Sequence, residues 1–396
     1  MYPTTLAVAL PSLDTPLTLD IAALYQQFQT VSDLRKRRGK RYPLAVLLTI
    51  ALLAKLAGVT GVRALADWAK LRAEEFAILF ELPRAVMPHA TTWTRVFGHA
   101  LAVEAIEQAV AALSAPPPAA EVPERGSIII ALDGKTLRGT IPLGQTAGVH
   151  LLAAYQTDTG SVRAQVAVDR KTNEIGAAPA LLRHLDLTGV VITGDAMFAQ
   201  RELSTQIVEA GGDYFWWVKD NQPNLLSDLM LLFDPECVAA GWSAPPVDFT
   251  CATSLEKGHG RLELRQLTAS SLLAGYSDWP YLVQAVKIER TRMTALKRTQ
   301  EVGFGITSLP APQADARRLL RIGRAHWGIE NGLHYRRDVT LHEDASQVRR
   351  GQAPQVLAAL NNLVCSLVLR GGVRNLAEFQ RSCARRLDQW LECQRC

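Results

Sequence analysis

The sequence has few of the features that place a chain in a membrane or in an oxidising compartment. Its longest strongly apolar run, Leu44 to Ala54, is followed by Lys55 and is shorter than the ~20 residues that a membrane-spanning helix needs, so it predicts a buried core helix. The six cysteines follow no regular spacing, and the N-terminus lacks the basic and apolar segments of a signal peptide. We therefore expect a reduced, cytoplasmic protein without a membrane partner.

A complete zinc motif, internal repeats and low-complexity segments are also missing from the sequence. Cys393 and Cys396 form a C-x-x-C at the C-terminus, but neither a second pair nor a nearby histidine completes the four ligands of a structural zinc site. The pair is therefore better interpreted as part of a frayed tail than as metal ligands.

Charge of either sign shows little overall excess. The 43 Lys and Arg residues against 38 Asp and Glu give a formal net charge of +5, which permits a polyanionic partner but does not require one. With 396 residues, of which 48% are hydrophobic, the chain can bury a large core and is expected to form two or three domains.

The clearest predicted domain boundary is a proline-rich linker at residues 114–126. It contains four prolines between positions 116 and 123, a composition that does not hold a helix and behaves as a stiff spacer. Residues 1–113 before the linker carry apolar side chains at helical spacing from Ile21 onwards. This pattern predicts an all-α N-terminal domain.

Residues 127–370 have the pattern of an α/β domain. Three short β-branched runs predict an antiparallel meander: residues 127–132, 149–155 and 162–168. The following segments alternate between helical and strand-like patterns as far as Val218, an order typical of a ribonuclease H-like catalytic core. A β-rich insertion is predicted at about 220–309 and a C-terminal helical tail at 371–396.

Two aspartates stand at the ends of predicted buried strands. Asp133 follows the run 127–132, and Asp195 comes shortly after the run 189–193, where open α/β sheets place ligands and catalytic groups. A strand-end aspartate alone often only caps the next helix, but two on neighbouring strands can share a hard cation such as Mg²⁺. A third carboxylate would complete a two-metal site for phosphoryl displacement.

The best candidate for the third carboxylate is Glu330. If its segment is helical, His326, Glu330 and His334 share one face at intervals of four residues, with Arg337 one turn further on. A solvated charge ladder is the alternative interpretation, but surface helices rarely carry apolar side chains such as Trp327 alongside.

Five ordered motifs resemble those of the H-repeat-associated branch of the bacterial DDE transposases: Leu132-Asp-Gly-Lys-Thr-Leu-Arg-Gly139, Gly194-Asp-Ala-Met-Phe198, Val218-Lys-Asp-Asn-Gln222, Gly258-His-Gly-Arg-Leu-Glu263 and His326-Trp-Gly-Ile-Glu330. The similarity covers nearly the whole chain. In the helical region, Asp33-Leu-Arg-Lys-Arg-Arg-Gly-Lys-Arg-Tyr-Pro43 is similar to the domain that precedes the catalytic core in this branch.

The resemblance implies an insertion-sequence transposase that cleaves transposon ends and transfers the strands into target DNA. It implies that Asp133, Asp195 and Glu330 bind two Mg²⁺ ions, with Asp133 touching both, and Mn²⁺ is expected to substitute. Activated water would attack an end phosphodiester, and the freed 3′-hydroxyl would attack the target, without a covalent protein intermediate. The implied partner is double-stranded DNA, on which a dimer is expected to assemble.

Related transposases carry a tyrosine, arginine, glutamate and lysine signature around the acid, from which this chain departs. Glu330 matches, but Gly323 stands at the tyrosine position, His326 at the arginine position and Arg337 at the lysine position. The side chains predicted to neutralise DNA phosphates near the site are Lys135, Lys219, His326 and Arg337. For Lys219 a structural salt bridge explains the residue equally well.

The densest charge cluster, which we call the basic segment, comprises Arg35, Lys36, Arg37, Arg38, Lys40 and Arg41. Contact with the DNA backbone is predicted because the resemblance supplies a DNA partner, whereas a solvated helix end is the alternative. The adjacent Trp216 and Trp217 belong to the fifth predicted strand. One of them is expected to face the core, and base stacking by the other is a minor alternative.

Three other functions remain open at this point. A metal-dependent nuclease of the same fold would use the same carboxylates and metals, so the sequence does not separate cutting from joining. A domesticated, non-catalytic DNA-binding protein is disfavoured because all three acids are present. A zinc hydrolase using His326 and His334 is disfavoured because these residues lie eight positions apart and form no H-E-x-x-H motif.

Overall fold

A computed structural model describes residues 5–115, 123–169, 172–234, 248–258 and 260–393. Most of the predicted proline-rich linker, and Cys396 of the terminal C-x-x-C, lie outside these ranges.

The described chain forms a large mixed sheet with helices on both of its faces. The helices are α1 (Ile21–Gln29), α2 (Leu44–Leu56), α3 (Val62–Lys70), α4 (Ala73–Leu79), α5 (Ala90–His99), α6 (Val103–Ser114), α7 (Glu174–Leu182), α8 (Arg201–Glu209), α9 (Pro223–Leu232), α10 (Ala316–Ala325), α11 (Ala353–Arg370) and α12 (Leu376–Glu392). The strands are β1 (Thr5–Val8), β2 (Leu17–Asp20), β3 (Ile128–Leu137), β4 (Val149–Gln156), β5 (Ser161–Val168), β6 (Val190–Gly194), β7 (Asp213–Val218), β8 (Thr250–Gly258), β9 (Arg261–Ser270), β10 (Gln284–Met293) and β11 (Arg298–Thr307).

Nine strands form one continuous sheet in the order β5-β4-β3-β6-β7-β11-β10-β9-β8. The strands β3, β4 and β5 form the predicted antiparallel meander, and β6 and β7 extend it in parallel from β3. The insertion strands continue antiparallel from β7. The β-rich insertion therefore extends the sheet of the core instead of forming a separate β unit.

Both faces of the central strands are buried, which explains their nearly continuous apolar composition. Ile130 and Leu132 of β3 pack with α7 and α8 residues on one face. Ala131, between them, points to the opposite face and packs with residues of α6 and α11. The N-terminal helices, α11 and α12 share this second core with β3, β4 and β5.

The N-terminal region is not all-α, contrary to the prediction. Strands β1 and β2 form an antiparallel hairpin immediately before α1, and α12 from the C-terminal end of the chain packs against β1, α2 and α4. Each of these strands has only four residues, too few for their alternation to be distinguished from an irregular segment.

Two apolar helices form the centre of the helical core. All residues of α2 are buried, which confirms the predicted core helix. By length and composition, α11 is the one single helix of the described chain that is long and apolar enough to cross a membrane, and 78% of it is buried within the protein. Helices at the core of globular domains have this same character.

The segment after α10 is helical but does not form a regular α-helix. Following a turn at His326 and Trp327, the chain forms two π-helical stretches, Glu330–His334 and Arg336–Thr340. We call residues 330–340 the π-segment. Wide π turns are rare and occur frequently at functional sites. Gly332 lets the π-segment approach β4 closely, because a Cβ atom there would lie 2.2 Å from Tyr155 Oη.

Candidate active site

Asp133 and Asp195 lie side by side in the centre of the sheet. The parallel pairing of β3 with β6 ends at Leu132 and Gly194, so each aspartate is the next residue of its chain. Asp133 is not at the end of its strand as predicted, since β3 continues to Leu137 in pairing with β4 alone. The pair nevertheless occupies the carboxyl-end position where open sheets bind ligands.

The glycine after Asp133 is required by the packing on the opposite face. A Cβ atom on Gly134 would lie 2.2 Å from Oε1 of Glu174, the first residue of α7. His150 of β4 holds this glutamate with an Nε2–Oε1 distance of 2.9 Å. The Gly134 amide also donates to Asp133 Oδ1 at 2.9 Å, which helps to orient the carboxylate.

Asp133, Glu330 and His334 converge on one point. Each offers a ligand atom within 4.8 Å of the other two, and His334 Nε2 lies 3.2 Å from Asp133 Oδ2. The His334 side chain is only 6% exposed, and neither ring nitrogen has a hydrogen-bond partner among the described residues. A buried imidazole that makes no hydrogen bond, beside two carboxylates, fits the ligand set of a divalent cation.

His334 was not predicted as a site residue, although a signal for it was present. Its position four residues after Glu330 placed it on the same helical face. The sequence alone groups His334 with the other polar side chains of that face. It does not indicate whether the ring nitrogens have hydrogen-bond partners.

Asp195 is paired with the other histidine of this region. His326 Nε2 lies 3.3 Å from Asp195 Oδ1, and the imidazole is 5% exposed while the carboxylate is 52% exposed. The hydrogen bond from His326 lowers the pKa of Asp195 below its ordinary value, outweighing burial, and the charge of Lys219 acts in the same direction. His326 Nε2 is thus directed at this carboxylate, and the predicted phosphate contact of His326 stays a prediction.

The loop after Asp195 is fixed by the motif that follows β7. Asn221 Nδ2 donates to the Ala196 carbonyl at 2.7 Å, and Gln222 Nε2 donates to the Ala199 carbonyl at 2.8 Å. Both amides satisfy backbone acceptors of the short turn that carries Asp195 out of the sheet. This accounts for two polar residues of the Val218–Gln222 motif.

Lys135 is a structural residue in this fold, contrary to the prediction that it neutralises DNA phosphates. Its side chain is 8% exposed, and Nζ lies 2.5 Å from Asp338 and 3.5 Å from Asp344. The lysine thus ties β3 to the π-segment that carries Glu330. A phosphate contact would require this ion pair to break.

Arg337 is likewise misassigned as a phosphate contact. Its side chain is fully buried, and Nε lies 2.7 Å from Oε2 of Glu343. Its Nη1 lies 3.4 Å from Gln165 Oε1 on β5. Because the guanidinium has no access to solvent, it cannot reach DNA in this conformation.

Lys219 and Trp217 face the open side of the site. Both line a cavity of about 830 Å³ that reaches Asp195, and Lys219 is exposed. Trp216, by contrast, is completely buried and donates from Nε1 to Ser204 at 3.0 Å, so one tryptophan faces the core as predicted. Phosphate contact by Lys219 and base stacking by Trp217 stay predictions.

The basic segment is divided between structural and exposed side chains. Arg35 is 12% exposed and pairs with Asp33 at 2.8 Å, and Lys40 donates to the Asp33 carbonyl at 2.9 Å, so Arg35 in particular is not free to bind DNA. The segment forms a single 3₁₀ turn at Arg37–Gly39 and not the end of an α-helix. Five of its side chains are exposed: Lys36, Arg37, Arg38, Lys40 and Arg41.

The chain belongs to the family described as Transposase DDE domain, whose model matches residues 124–367. A second model, described as DDE_Tnp_1-associated, matches residues 25–113. These matches cover the sheet with its candidate site and most of the N-terminal helices, respectively. They confirm the resemblance that the five motifs indicate.

Two curated relatives are named as putative transposases. "Putative transposase YncI" of Escherichia coli O157:H7 is 31% identical over 256 residues, covering 62% of this chain and 64% of the relative. "H repeat-associated putative transposase YhhI" of Escherichia coli strain K12 is 31% identical over 257 residues, covering 62% and 66%. The match thus spans slightly less than two thirds of the length of these relatives.

A Xanthobacter autotrophicus protein named for its position in the dhlA 3′ region is 32% identical over 271 residues, covering 67% of this chain and 87% of the relative. Among solved structures, the piggyBac transposase synaptic complex with hairpin DNA aligns with a TM-score of 0.42 and 8% identity, over 94% of this chain and 78% of that chain.

Proposed function

We propose that this protein is a metal-dependent DNA transposase that cleaves the ends of its element and joins them to target DNA. The observation that carries the proposal is the convergence of Asp133, Glu330 and His334 within 4.8 Å, beside Asp195 at the end of the adjacent parallel strand. Carboxylates on two neighbouring strands of a central sheet, with a third carboxylate beside one of them, are the kind of arrangement that two-metal phosphoryl transfer needs.

The sheet supports a ribonuclease H-like core as the framework for this site. An antiparallel meander of β3, β4 and β5 followed by the parallel strands β6 and β7 gives the order β5-β4-β3-β6-β7. The predicted acids Asp133 and Asp195 lie on the two adjacent central strands of this order. The third acid, Glu330, comes from the π-segment that packs beside them.

The residues divide into metal-holding and supporting roles. Asp133, Glu330 and His334 would hold one divalent cation, and Asp195 with Asp133 would contribute to a second. Bound Mg²⁺ or Mn²⁺ supplies activation of water and stabilisation of the charge that develops on the leaving oxygen. His326 orients Asp195 through its contact with the carboxylate, and Lys135 holds the π-segment against β3.

DNA is the proposed partner, and the exposed cations near the site and at the N-terminus support it. Lys219 faces the cavity beside Asp195, where it can neutralise a phosphate. The exposed members of the basic segment can contact the backbone further away. Assembly of a dimer on DNA stays a prediction.

A cleavage and joining assay tests the proposal and separates it from a simple nuclease. The full chain is incubated with a labelled duplex from one end of the element and a supercoiled target plasmid, in Mg²⁺ or Mn²⁺ and then in Ca²⁺. We expect end cleavage and covalent joining with the first two ions, and binding without chemistry in Ca²⁺ because its looser coordination misplaces the reacting oxygens.

The other outcomes each select a different function. Cleavage without joined product would support the nuclease instead. Binding of the end duplex without cleavage in either Mg²⁺ or Mn²⁺ would support a non-catalytic DNA-binding protein, and activity with Zn²⁺ alone would contradict the proposed site.

A further inference from the structure

Four arginines of the insertion surround one buried glutamate. The Glu263 side chain on β9 is only 7% exposed, and Arg290 Nη2 lies 2.6 Å from its Oε1. Arg265 also bonds to this carboxylate, and the guanidiniums of Arg292 and Arg261 lie 3.5 and 3.6 Å from it. We call these four arginines the arginine cluster.

The strand register places the arginine cluster on one face of the sheet. Arg265 is opposite Arg290, and Glu263 is opposite Arg292, across β9 and β10, and alternate residues of a strand share a face. Burial by itself would raise the pKa of Glu263, but the hydrogen bond from Arg290 and the charges of Arg265, Arg290 and Arg261 lower it to about 2. The ionised glutamate therefore holds the guanidiniums in position.

The carboxylates within reach do not use all the donors of the arginine cluster. A guanidinium has five N–H donors, whereas a carboxylate has two oxygens. Besides Glu263, the described residues bring Glu256 to Arg265 at 3.2 Å and Glu301 to Arg290 at 3.4 Å, and these two acids are 45% and 69% exposed. Four arginines thus face three carboxylates, two of them in solvent, which leaves positive charge and donors for another anion.

The arginine cluster faces the same space as the candidate active site. Arg261, Arg265 and Arg290 line the cavity of about 830 Å³ that also reaches Asp195 and Lys219. An anion bound there would lie beside Asp195, one of the three carboxylates that we propose to hold the metal ions. The chemical class that fits both the guanidinium fork and this neighbourhood is a phosphodiester.

We propose that the arginine cluster binds backbone phosphates of the DNA strand next to the scissile bond, an inference that rests on the proposed function. Glu263 preorganises the guanidiniums, which reduces the entropy lost when the strand binds. Because phosphate contacts position a duplex and do not read its sequence, the cluster holds the strand in place without preference for particular bases.

The test compares a cluster variant with a variant of equal charge elsewhere. Arg261→Ala combined with Arg290→Ala removes two cavity-lining cations. Arg381→Ala combined with Arg385→Ala removes two exposed cations of α12. The affinity of each full chain for a fluorescent end duplex is measured in Ca²⁺ over a range of salt concentrations. We expect the slope of log affinity against log salt to flatten by about 1.8 for the first pair, roughly 0.9 per contact, and to stay unchanged for the second.

A second measurement locates the contacted phosphate on the DNA, and it uses a single substitution that changes the arginine cluster less. Arg261→Gln alone disturbs the fold least, because its contact with Glu263, at 3.6 Å, is the longest of the four. End duplexes carry a single neutral methylphosphonate at successive positions around the scissile bond. We expect the wild type to lose affinity at one or two adjacent positions, and Arg261→Gln to lose no further affinity at one of them.

The outcomes separate this inference from the proposed function. If the wild type cleaves the end duplex but folded cluster variants keep the same salt slope and the same methylphosphonate sensitivity, the arginine cluster is an internal ion-pair network and the inference is wrong. If the wild type neither cleaves nor joins DNA, the proposed function fails and this inference fails with it.

Discussion

His334 is the side chain that most alters the expected chemistry of the site. Three carboxylates alone would form an all-oxygen site suited to Mg²⁺. An imidazole nitrogen in the set, within 4.8 Å of Asp133 and Glu330 ligand atoms, disfavours Mg²⁺, a hard cation with oxygen ligands, relative to a first-row transition-metal ion such as Mn²⁺. His334 is thus the one addition to the predicted set of three carboxylates, which itself is unchanged.

We predict that His334→Asp shifts the metal preference of cleavage towards Mg²⁺. Replacing nitrogen by oxygen should lower the ratio of the Mn²⁺-supported rate to the Mg²⁺-supported rate by about tenfold or more. Initial cleavage rates at saturating metal measure this ratio. His326→Gln is the matched control, since that imidazole faces Asp195, and its ratio should stay near that of the wild type. An unchanged ratio in His334→Asp would remove the imidazole from the metal site.

Arg337→Ala distinguishes a structural arginine from a phosphate contact. Removing the buried guanidinium leaves Glu343, only 6% exposed, without its partner. The loss of one member of a buried ion pair typically costs about 3–5 kcal/mol. Urea unfolding should show this loss, while Lys219→Ala at an exposed position should change the free energy of unfolding by less than about 0.5 kcal/mol. If Arg337→Ala instead has the stability of the wild type and a flatter salt dependence of DNA binding, Arg337 is a phosphate contact after all.

At the level of elements, a buried polar chain connects the helical core with the π-segment. Lys55 Nζ of α2 donates to Asn361 Oδ1 at 2.6 Å, and Asn361 Nδ2 donates to Glu343 Oε1 at 2.8 Å, which in turn pairs with Arg337. Burial lowers the pKa of Lys55 to about 8, partly offset by the charge of Glu343. Since buried polar groups are costly without partners, the chain aligns α2, α11 and the π-segment in one arrangement.

The contact of α6 with β5 predicts a pH-dependent stability. Burial raises the pKa of Glu107 from 4.5 to about 8, and its carboxyl group accepts from Gln165 Nε2 at 3.1 Å. The folded state therefore keeps a proton that the unfolded chain has lost between these two values. The Glu107 contribution to stability is present below pH 4.5 and is lost as the pH rises to about 8.

Glu107→Gln should remove this dependence, because the amide keeps an acceptor for Gln165 but does not ionise. We expect the variant to gain stability relative to the wild type as the pH rises from about 5 to about 8, by chemical denaturation at each pH. Gln108→Ala, at an exposed neighbouring position of the same helix, is the control and should show no such trend. A difference between Glu107→Gln and wild type that is equal at both pH values would contradict the assignment.

The elements that the sequence predicted best are those with a local signal. Runs of β-branched residues and helical periodicity predicted β3 to β7 and α2 within a few residues. Three features had no such signal: the short hairpin β1-β2, the strand β8 with its mostly polar and exposed side chains, and the π-segment. The wider turn of the π-segment is selected by packing, in this case of Gly332 on Tyr155. The local sequence pattern therefore does not distinguish it from an α-helix.

At the scale of the whole molecule, the residue types of the site were predictable but their partners were not. The motifs identified Asp133, Asp195 and Glu330, and the fold brings Asp133 and Glu330 together. The cations were assigned to DNA because the sequence does not show which acids fold against them. Lys135 instead pairs with Asp338, 203 residues away in the chain, and Arg337 pairs with the buried Glu343.

The basic segment should contribute to DNA affinity without affecting sequence preference. Charge reversal by Arg37→Glu and Arg38→Glu should weaken binding of end and unrelated duplexes alike and flatten the salt slope by about 0.9 per lost contact. The measurement is a fluorescence titration at several salt concentrations. Arg381→Glu with Arg385→Glu on α12 is the charge-matched control. If both pairs weaken binding equally, the effect is one of net charge and the basic segment has no particular role.

The most direct test of the central claim is single-turnover cleavage of an end duplex by three isosteric variants, Asp133→Asn, Asp195→Asn and Glu330→Gln. Each replaces a carboxylate oxygen by an amide nitrogen that does not bind a divalent cation, with almost no change in shape. We expect each to lower the Mn²⁺-supported cleavage rate by about a thousandfold or more, while the affinity for the duplex in Ca²⁺ stays near that of the wild type. Cleavage at the wild-type rate by any one of the three would remove that residue from the catalytic set and contradict the proposed site.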